Sequence, residues 1–351
     1  MITDIRLQHF RSYEDASFEI DPGVNIIVGP NASGKTNLLE AILIVALGSS
    51  YKAKDAELVQ FGSNWARIDA HTPSGARIVK FKAEPTISKS FEIDDQVITR
   101  LHQSRTLPVV LFEPNHLLLL SGSPELRRSF LDDLIEQTEP GYGSVRRHYK
   151  RVLAQRNALL KKNPKGLAEQ LFVWNVRLSE LGGKMVRERN ALVERFAERA
   201  TELYGSLSGR ENTIELVYAT QFPVDNYETA LLHKLESNLD LDVMRGFTAS
   251  GPHRDDLKAQ IDGHEVSEAA SRGETRTLVL ALKIMELQLL EQSRSMKPIL
   301  LLDDVFSELD TVRRQALTQF VADYQTFITT TDADVVVHHF TTSSIIPLTA
   351  Q

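Results

Sequence analysis

The chain has 351 residues, enough for a large core and two lobes, and carries 47 acids against 40 bases for a formal net charge of −7. That balance does not announce a nucleic-acid binder, so any basic surface must be local. The absence of cysteine excludes disulfides, thiolate metal sites and thiol chemistry, and suits a reducing cytosol.

The opening "MITDIRLQHFRSY" is too charged for a signal peptide. The longest apolar runs, such as His116–Leu120, are too short for a bilayer. A cytoplasmic α/β protein without membrane contact is expected. Residues 1–28 alternate apolar and polar, turn at Asp21-Pro22-Gly23 and end in "VNIIV" (Val24–Val28), predicted as a buried strand. Thr36 to Leu47 reads as a helix stopped by Gly48. Antiparallel strands are predicted over residues 66–100, with Asp94-Asp95 suited to a tight turn, and another strand over Thr106–Phe112.

From Ser144 the pattern turns helical and stops at Asn163-Pro164. Leu167, Leu171, Trp174, Leu178, Leu181 and Met185 then step by four and three, a coiled-coil-like seam. Gly182-Gly183 is expected to interrupt this helix, which resumes to about Tyr204. Residues 120–235 therefore read as a mostly helical second lobe with a short hairpin, either packed on itself or projecting as an arm. Residues 1–119 and 236–351 read as one discontinuous α/β lobe, and the tail after His338 as a loose strand or disordered.

Gly29-Pro30-Asn31-Ala32-Ser33-Gly34-Lys35-Thr36 fits G-x-x-x-x-G-K-[ST] between a predicted strand and a predicted helix. Glycine lets such a loop wrap phosphate oxygens, and the helix N-terminus favours the anion. Lys35 is placed for the β- and γ-phosphates of ATP and Thr36 for Mg²⁺. "ILLLDD" supplies Asp303 at a strand end, as a second Mg²⁺ holder, and Asp304, to orient or deprotonate water; alternatively the pair caps the next segment. Ser271 and Glu274 form S-x-x-E before an apolar helix, either a capping box or, with Gly273, donors for a second phosphate contact. His253, Asp255 and Asp256 could form a metal cluster, but a loop braced by Arg254 fits them better. Arg146, Arg147, Lys150, Arg151, Arg156, Lys161 and Lys162 follow one another with no acid between them, as a phosphate-tracking or merely solvated face.

The order of P-loop, long insertion, "SRGE" helix, "ILLLDD" and "SELD" resembles an ABC-type ATPase. "FRSY" (Phe10–Tyr13), "FEPNHLLLLSGSPELRRSFLD" (Phe112–Asp132) and "SGPHRDDL" (Ser250–Leu257) place the resemblance in the SMC-like branch and, within it, the RecF family. The resemblance implies an ATPase head with an antiparallel β subdomain and a helical second lobe. It implies ATP and Mg²⁺, with Ser271, Arg272, Gly273 and Glu274 of one protomer closing on the ATP of the other. Ser307, Glu308, Leu309 and Asp310 would cross the dimer seam, and Arg11 would reach the nucleotide. It also implies a homodimer on double-strand/single-strand DNA junctions, RecR and RecO as partners, a place on the nucleoid, and weak, DNA-stimulated ATPase activity that helps load recombinase. A transporter-type ABC subunit is the alternative. The chain departs from the broader pattern in several places. Asp304 and Glu274 replace the usual glutamate and glutamine, Ala32 a common glycine, and Thr331 the usual switch histidine. Glu113 or Asn115 lies nearest the missing Q-loop glutamine.

Overall fold

In the computed structural model, which describes residues 1–332, 334–340 and 342–349, the alternating N-terminal pattern folds into a hairpin. Strands β1 (Asp4–Phe10) and β2 (Tyr13–Glu19) pair antiparallel with Phe10 opposite Tyr13, so Arg11 and Ser12 form the turn. The apolar run beyond Gly23 is β3 (Val24–Val28). Helix α1 (Lys35–Leu47) follows the glycine loop and ends on Gly48, whose φ of 86° lets its N–H bond the Ile44 carbonyl. After the short α2 (Asp55–Leu58) come β4 (Trp65–Thr72), β5 (Gly75–Lys82), β6 (Ser88–Ile93) and β7 (Gln96–Ile98). Asp94 and Asp95 have φ of 53° and 60°, the left-handed pair that a tight hairpin turn requires. These strands form one antiparallel sheet in the order β2-β1-β4-β5-β6-β7.

Strand β8 (Val109–Phe112) starts a second sheet. The chain then forms α3 (Pro124–Thr138), α4 (Tyr142–Lys162) and α5 (Leu167–Ser208). Helix α5 runs unbroken for 42 residues, so the expected interruption at Gly182-Gly183 is corrected. The missing side chains serve packing: a Cβ on Gly182 would lie 3.3 Å from Leu231 and Pro252, and one on Gly183 would strike Glu228. Next come β9 (Ile214–Ala219), α6 (Tyr227–Ser237), α7 (Leu239–Arg245), β10 (Asp256–Ile261), β11 (His264–Glu265) and α8 (Val266–Ala269). Helix α9 (Arg272–Arg294) precedes β12 (Ile299–Asp303), α10 (Val305–Glu308), α11 (Thr311–Val321) and β13 (Thr326–Thr330). The chain closes with α12 (Asp334–Val337) and β14 (Ser344–Pro347). Strands β14-β3-β13-β12-β8 form a parallel sheet, so Ser344–Pro347 of the weakly patterned tail is a paired strand beside β3.

Two compact units result: Met1–His116 with Lys283–Gln351, and Leu117–Leu282. In the first, α1 is buried against residues of both sheets, with Leu7, Ile68, Phe81, Leu301 and Phe327 in one apolar cluster. The second is mostly helical but includes the sheet β11-β10-β9. Its end lies at 282 rather than the expected 235, for a physical reason. The Ile214 amide of β9 donates to Thr201 of α5 at 2.9 Å, and Arg127 of α3 holds Asp256 of β10 with bonds of 2.7 and 2.8 Å. Residues 236–282 are thereby packed into the helical unit.

Candidate active site

The parallel sheet explains why the glycine loop sits where it does. Strand β3 delivers Gly29 at its C-terminal end, and β12, next but one in the sheet, delivers Asp303 at its own. Ligands of such sheets bind outside the carboxyl ends of the strands. A Cβ on Gly29 would meet Ser33 Oγ at 2.4 Å and the Leu348 carbonyl at 2.7 Å, and one on Gly34 (φ 96°) would meet Tyr13 Oη at 2.8 Å. Tyr13 donates to the Gly34 carbonyl at 3.1 Å, so the "FRSY" turn supports the loop from behind. Ala32 holds φ of 66°, the left-handed conformation for which glycine would be the unstrained choice. Lys35 is 5% exposed and donates to the carbonyls of Gly29 and Pro30 at 2.7 and 2.9 Å.

Asp303 is the hub. Its Oδ1 accepts from Thr36 Oγ1 and Thr329 Oγ1, each at 3.0 Å. Its Oδ2 accepts from Lys52 Nζ at 2.9 Å and Tyr51 Oη at 3.0 Å. Burial pushes this carboxyl up, but Lys52, helped by Tyr51 and Thr329, more than offsets that and holds it below its ordinary value. Asp304 behaves oppositely: burial and then the Asp303 charge raise it, against Lys35 and Lys52. Asp304 has φ of 54°, and its amide donates to Thr329 Oγ1 at 2.9 Å. It occupies the N-cap position of α10 but makes no side-chain cap bond, so the capping alternative is not realised. Burial also raises Glu113, which lies 3.9 Å from Lys52.

The residues here fit a metal–triphosphate. A glycine cradle that a Cβ would fill, the buried Ser33 Oγ without a hydrogen-bond partner and an oxygen pair from Thr36 and Asp303 are what phosphate and Mg²⁺ require. Lys52 and Tyr51 were missed in sequence because their only signal is "SSYKAKD" just beyond α1. Arg11, expected to reach the nucleotide, has its guanidinium on the buried Glu40 at 2.8 and 3.1 Å and on the Glu57 carbonyl at 3.1 Å. Glu40 also accepts from Ser50, so Arg11 ties the turn to α1 and the loop after it.

Elsewhere, the Ser271 amide and hydroxyl donate to Glu274 at 2.9 and 2.7 Å, and the Glu274 amide returns to Ser271 Oγ at 3.3 Å. The capping box is therefore formed at the start of α9, with Arg272 and Gly273 in its first turn. Beyond Asp304, Ser307 donates to the Asp304 carbonyl at 2.7 Å, Glu308 is exposed, Leu309 is buried and Asp310 caps α11. Thr331 is exposed. The expected basic face is taken inward only at Arg146 and Arg156, while Arg147, Lys150, Arg151, Lys161 and Lys162 are exposed. Arg146 lies within 3.4 Å of Asp132, Asp133 and Glu136, Arg147 pairs with Glu136 at 3.1 Å, and Arg156 is 0% exposed on Asp242. Lys150 and Arg151 are exposed, with no ion-pair partner among the described residues. His253 bonds Tyr149 and the Thr248 carbonyl and Asp256 is taken by Arg127, while Arg254 stacks on Phe247. No group of three or more side chains that could hold a metal ion occurs among the described residues.

The sequence model of the RecF/RecN/SMC N-terminal domain family matches residues 1–346. The DNA replication and repair protein RecF of Heliobacterium modesticaldum is 38% identical over 344 residues, 94% of this chain and 92% of that protein. The RecF of Synechococcus sp. (strain JA-3-3Ab) is 36% identical over 344 residues, 93% and 90% respectively. A solved structure of the recombination mediator protein RecF with ATPrS, in the RecFOR pathway, aligns with a TM-score of 0.86 at 29% identity, covering 96% of this chain and 94% of that one. The corresponding RecF–ATP structure aligns at 0.82 and 30% identity, covering 94% and 92%. A Pyrococcus furiosus Smc head domain with an extended coiled coil, at 0.54 and 16% identity, shares the fold alone and covers 100% and 94%. Among the described residues no helix is long and apolar enough to cross a membrane.

Proposed function

The chain belongs to the RecF family, and from that premise we propose that it is a DNA-repair ATPase that dimerises with ATP on gapped DNA. The observation that carries the reading is the convergence of Lys35, Thr36, Asp303 and Asp304 at the ends of β3 and β12. Gly29, Pro30, Asn31, Ala32, Ser33 and Gly34 wrap the phosphates, and Lys35 exchanges its loop carbonyls for β- and γ-phosphate oxygens. Thr36 and Asp303 hold Mg²⁺, which when bound offsets phosphate charge. Asp304 orients the attacking water; its side chain is one carbon shorter than glutamate, which supports slow hydrolysis.

Ser271, Arg272, Gly273 and Glu274 act in trans on the γ-phosphate held by the other protomer, and Ser307–Asp310 cross the seam. Charge-assisted bonds to that phosphate hold the dimer, and hydrolysis releases it. DNA is bound by shape and phosphate at double-strand/single-strand junctions, with the exposed Lys150, Arg151, Lys161 and Lys162 of α4 as candidates. Likeness to RecF of the RecFOR pathway supports RecR and RecO as partners, recombinase loading as the task and the nucleoid as the place. The same likeness favours this reading over a transporter-coupling subunit.

Light scattering with ATP and gapped DNA tests it. A doubled mass with ATP is expected, lost in Lys35→Met together with nucleotide binding. A protein that stays monomeric with ATP on every DNA substrate contradicts the proposal.

A further inference from the structure

Resting on the ATP-site reading but going beyond it, we propose that Lys52 is a tethered cation that stands in for the metal on Asp303 and has to leave before metal and nucleotide bind together. The Asp303 side chain is only 4% exposed, and a carboxylate so placed needs a counter-charge. Lys35 does not supply it directly, because its ammonium is turned to the carbonyls of Gly29 and Pro30. Lys52 does, at 2.9 Å from Oδ2, while Thr36 and Thr329 take Oδ1. The same ammonium lies 3.9 Å from Glu113 and 4.9 Å from the Tyr51 ring centre.

Two features suit this cation to exchange. Its side chain is 41% exposed, so it can swing into water without burying a new charge. Its partner oxygen belongs to the one carboxylate that also holds Thr36, the hydroxyl expected to ligand the metal. An ammonium and a dication within a few ångströms of one buried carboxylate repel each other, whether the metal is held directly or through water. Metal therefore enters as Lys52 leaves, and the loop carrying residues 50–54 moves with it. Lys52 thus weakens metal binding while keeping Asp303 neutralised between cycles.

Titrating Mg²⁺ into protein and a fluorescent ATP analogue tests this, for the wild type, Lys52→Ala and Lys52→Arg. Lys52→Ala is expected to half-saturate at roughly tenfold less Mg²⁺, one charge pair's worth, and Lys52→Arg at the wild-type level or above. Equal or greater Mg²⁺ demand in Lys52→Ala overturns the proposal and makes Lys52 a phosphate ligand or a bystander. Melting with Mg²⁺ and no nucleotide is the second arm: Mg²⁺ should raise the melting temperature of Lys52→Ala more than that of the wild type, and equal shifts also overturn it. Should the analogue bind none of the three proteins at any Mg²⁺ concentration, the ATP reading fails, and the melting arm still decides the role of Lys52.

Discussion

At Asp255 burial outweighs four favourable partners, Tyr218, Arg189, Thr220 and the Gln221 backbone. The residue is 1% exposed, and although Tyr218 donates to its Oδ2 at 2.9 Å and Arg189 lies nearby, burial pushes its carboxyl up to about 6. An acid raised in this way binds its proton more tightly in the folded state than in the unfolded chain. Its contribution to stability is fully present below about pH 4 and is lost as pH rises through about 6. Asp255→Asn removes the titration. Of the roughly 3 kcal/mol at stake only about 1.4 kcal/mol remains to be lost above pH 5, so across melts from pH 5 to 8 the wild type should fall behind the variant by about 1.4 kcal/mol, nearly all of it by pH 7. Parallel pH profiles would show that Asp255 titrates normally. Asp303 and Asp304 show the same physics resolved differently: adjacent acids are driven apart because Lys52 bonds one and not the other.

At the scale of elements, the paired glycines of α5 make separate predictions. A Cβ on Gly182 meets Leu231, Pro252 and Tyr227 at 3.3–3.4 Å, and these are packed groups, so Gly182→Leu should cost roughly 1–3 kcal/mol or more by overpacking. At Gly183 the obstacle is the end of Glu228, whose 2.5 Å bond to Arg187 is exposed. Gly183→Ala should stay within about 1 kcal/mol, because losing an exposed pair is offset by better helix propensity. Chemical denaturation compares them, and a larger loss at Gly183 would contradict the packing argument. These glycines mark where sequence reading stopped. The glycine loop, α1 with its Gly48 cap, the Asp94-Asp95 turn and the acids ending β12 are local patterns, and each could be read from its neighbours. The continuity of α5 depends on α6, dozens of residues away. The strand at Ser344–Pro347 depends on pairing with β3, and the fates of Arg11, Arg146 and Arg156 on acids outside their own segments. "IELVYA" at Ile214–Ala219 did carry an alternating signal for β9 within the stretch read as helical.

For the whole molecule the question is whether Ser271 only caps α9 or also closes a second protomer's ATP site. The capping box exists within one chain, which accounts for a serine there without any partner. A cap lost to substitution costs about 1 kcal/mol, enough to lower the melting temperature by about one to two degrees but not to unfold a chain of this size. A phosphate contact in trans has a different signature. Ser271→Arg replaces a small donor with a long side chain at the helix start. It should leave binding of a fluorescent ATP analogue at the wild-type level, because the bonds Ser271 makes within its own chain go to Glu274 and Thr275 of α9 and not to the glycine loop. It should also keep the protein monomeric when ATP is added, and ATP hydrolysis should fall with the dimer. The comparison needs the melting temperature of the variant alongside its mass in solution. A destabilised Ser271→Arg protein that still forms an ordinary ATP-dependent dimer would leave the serine as a helix cap and nothing more. A variant that melts close to the wild type, binds ATP and stays monomeric puts Ser271 on the phosphate held by its partner.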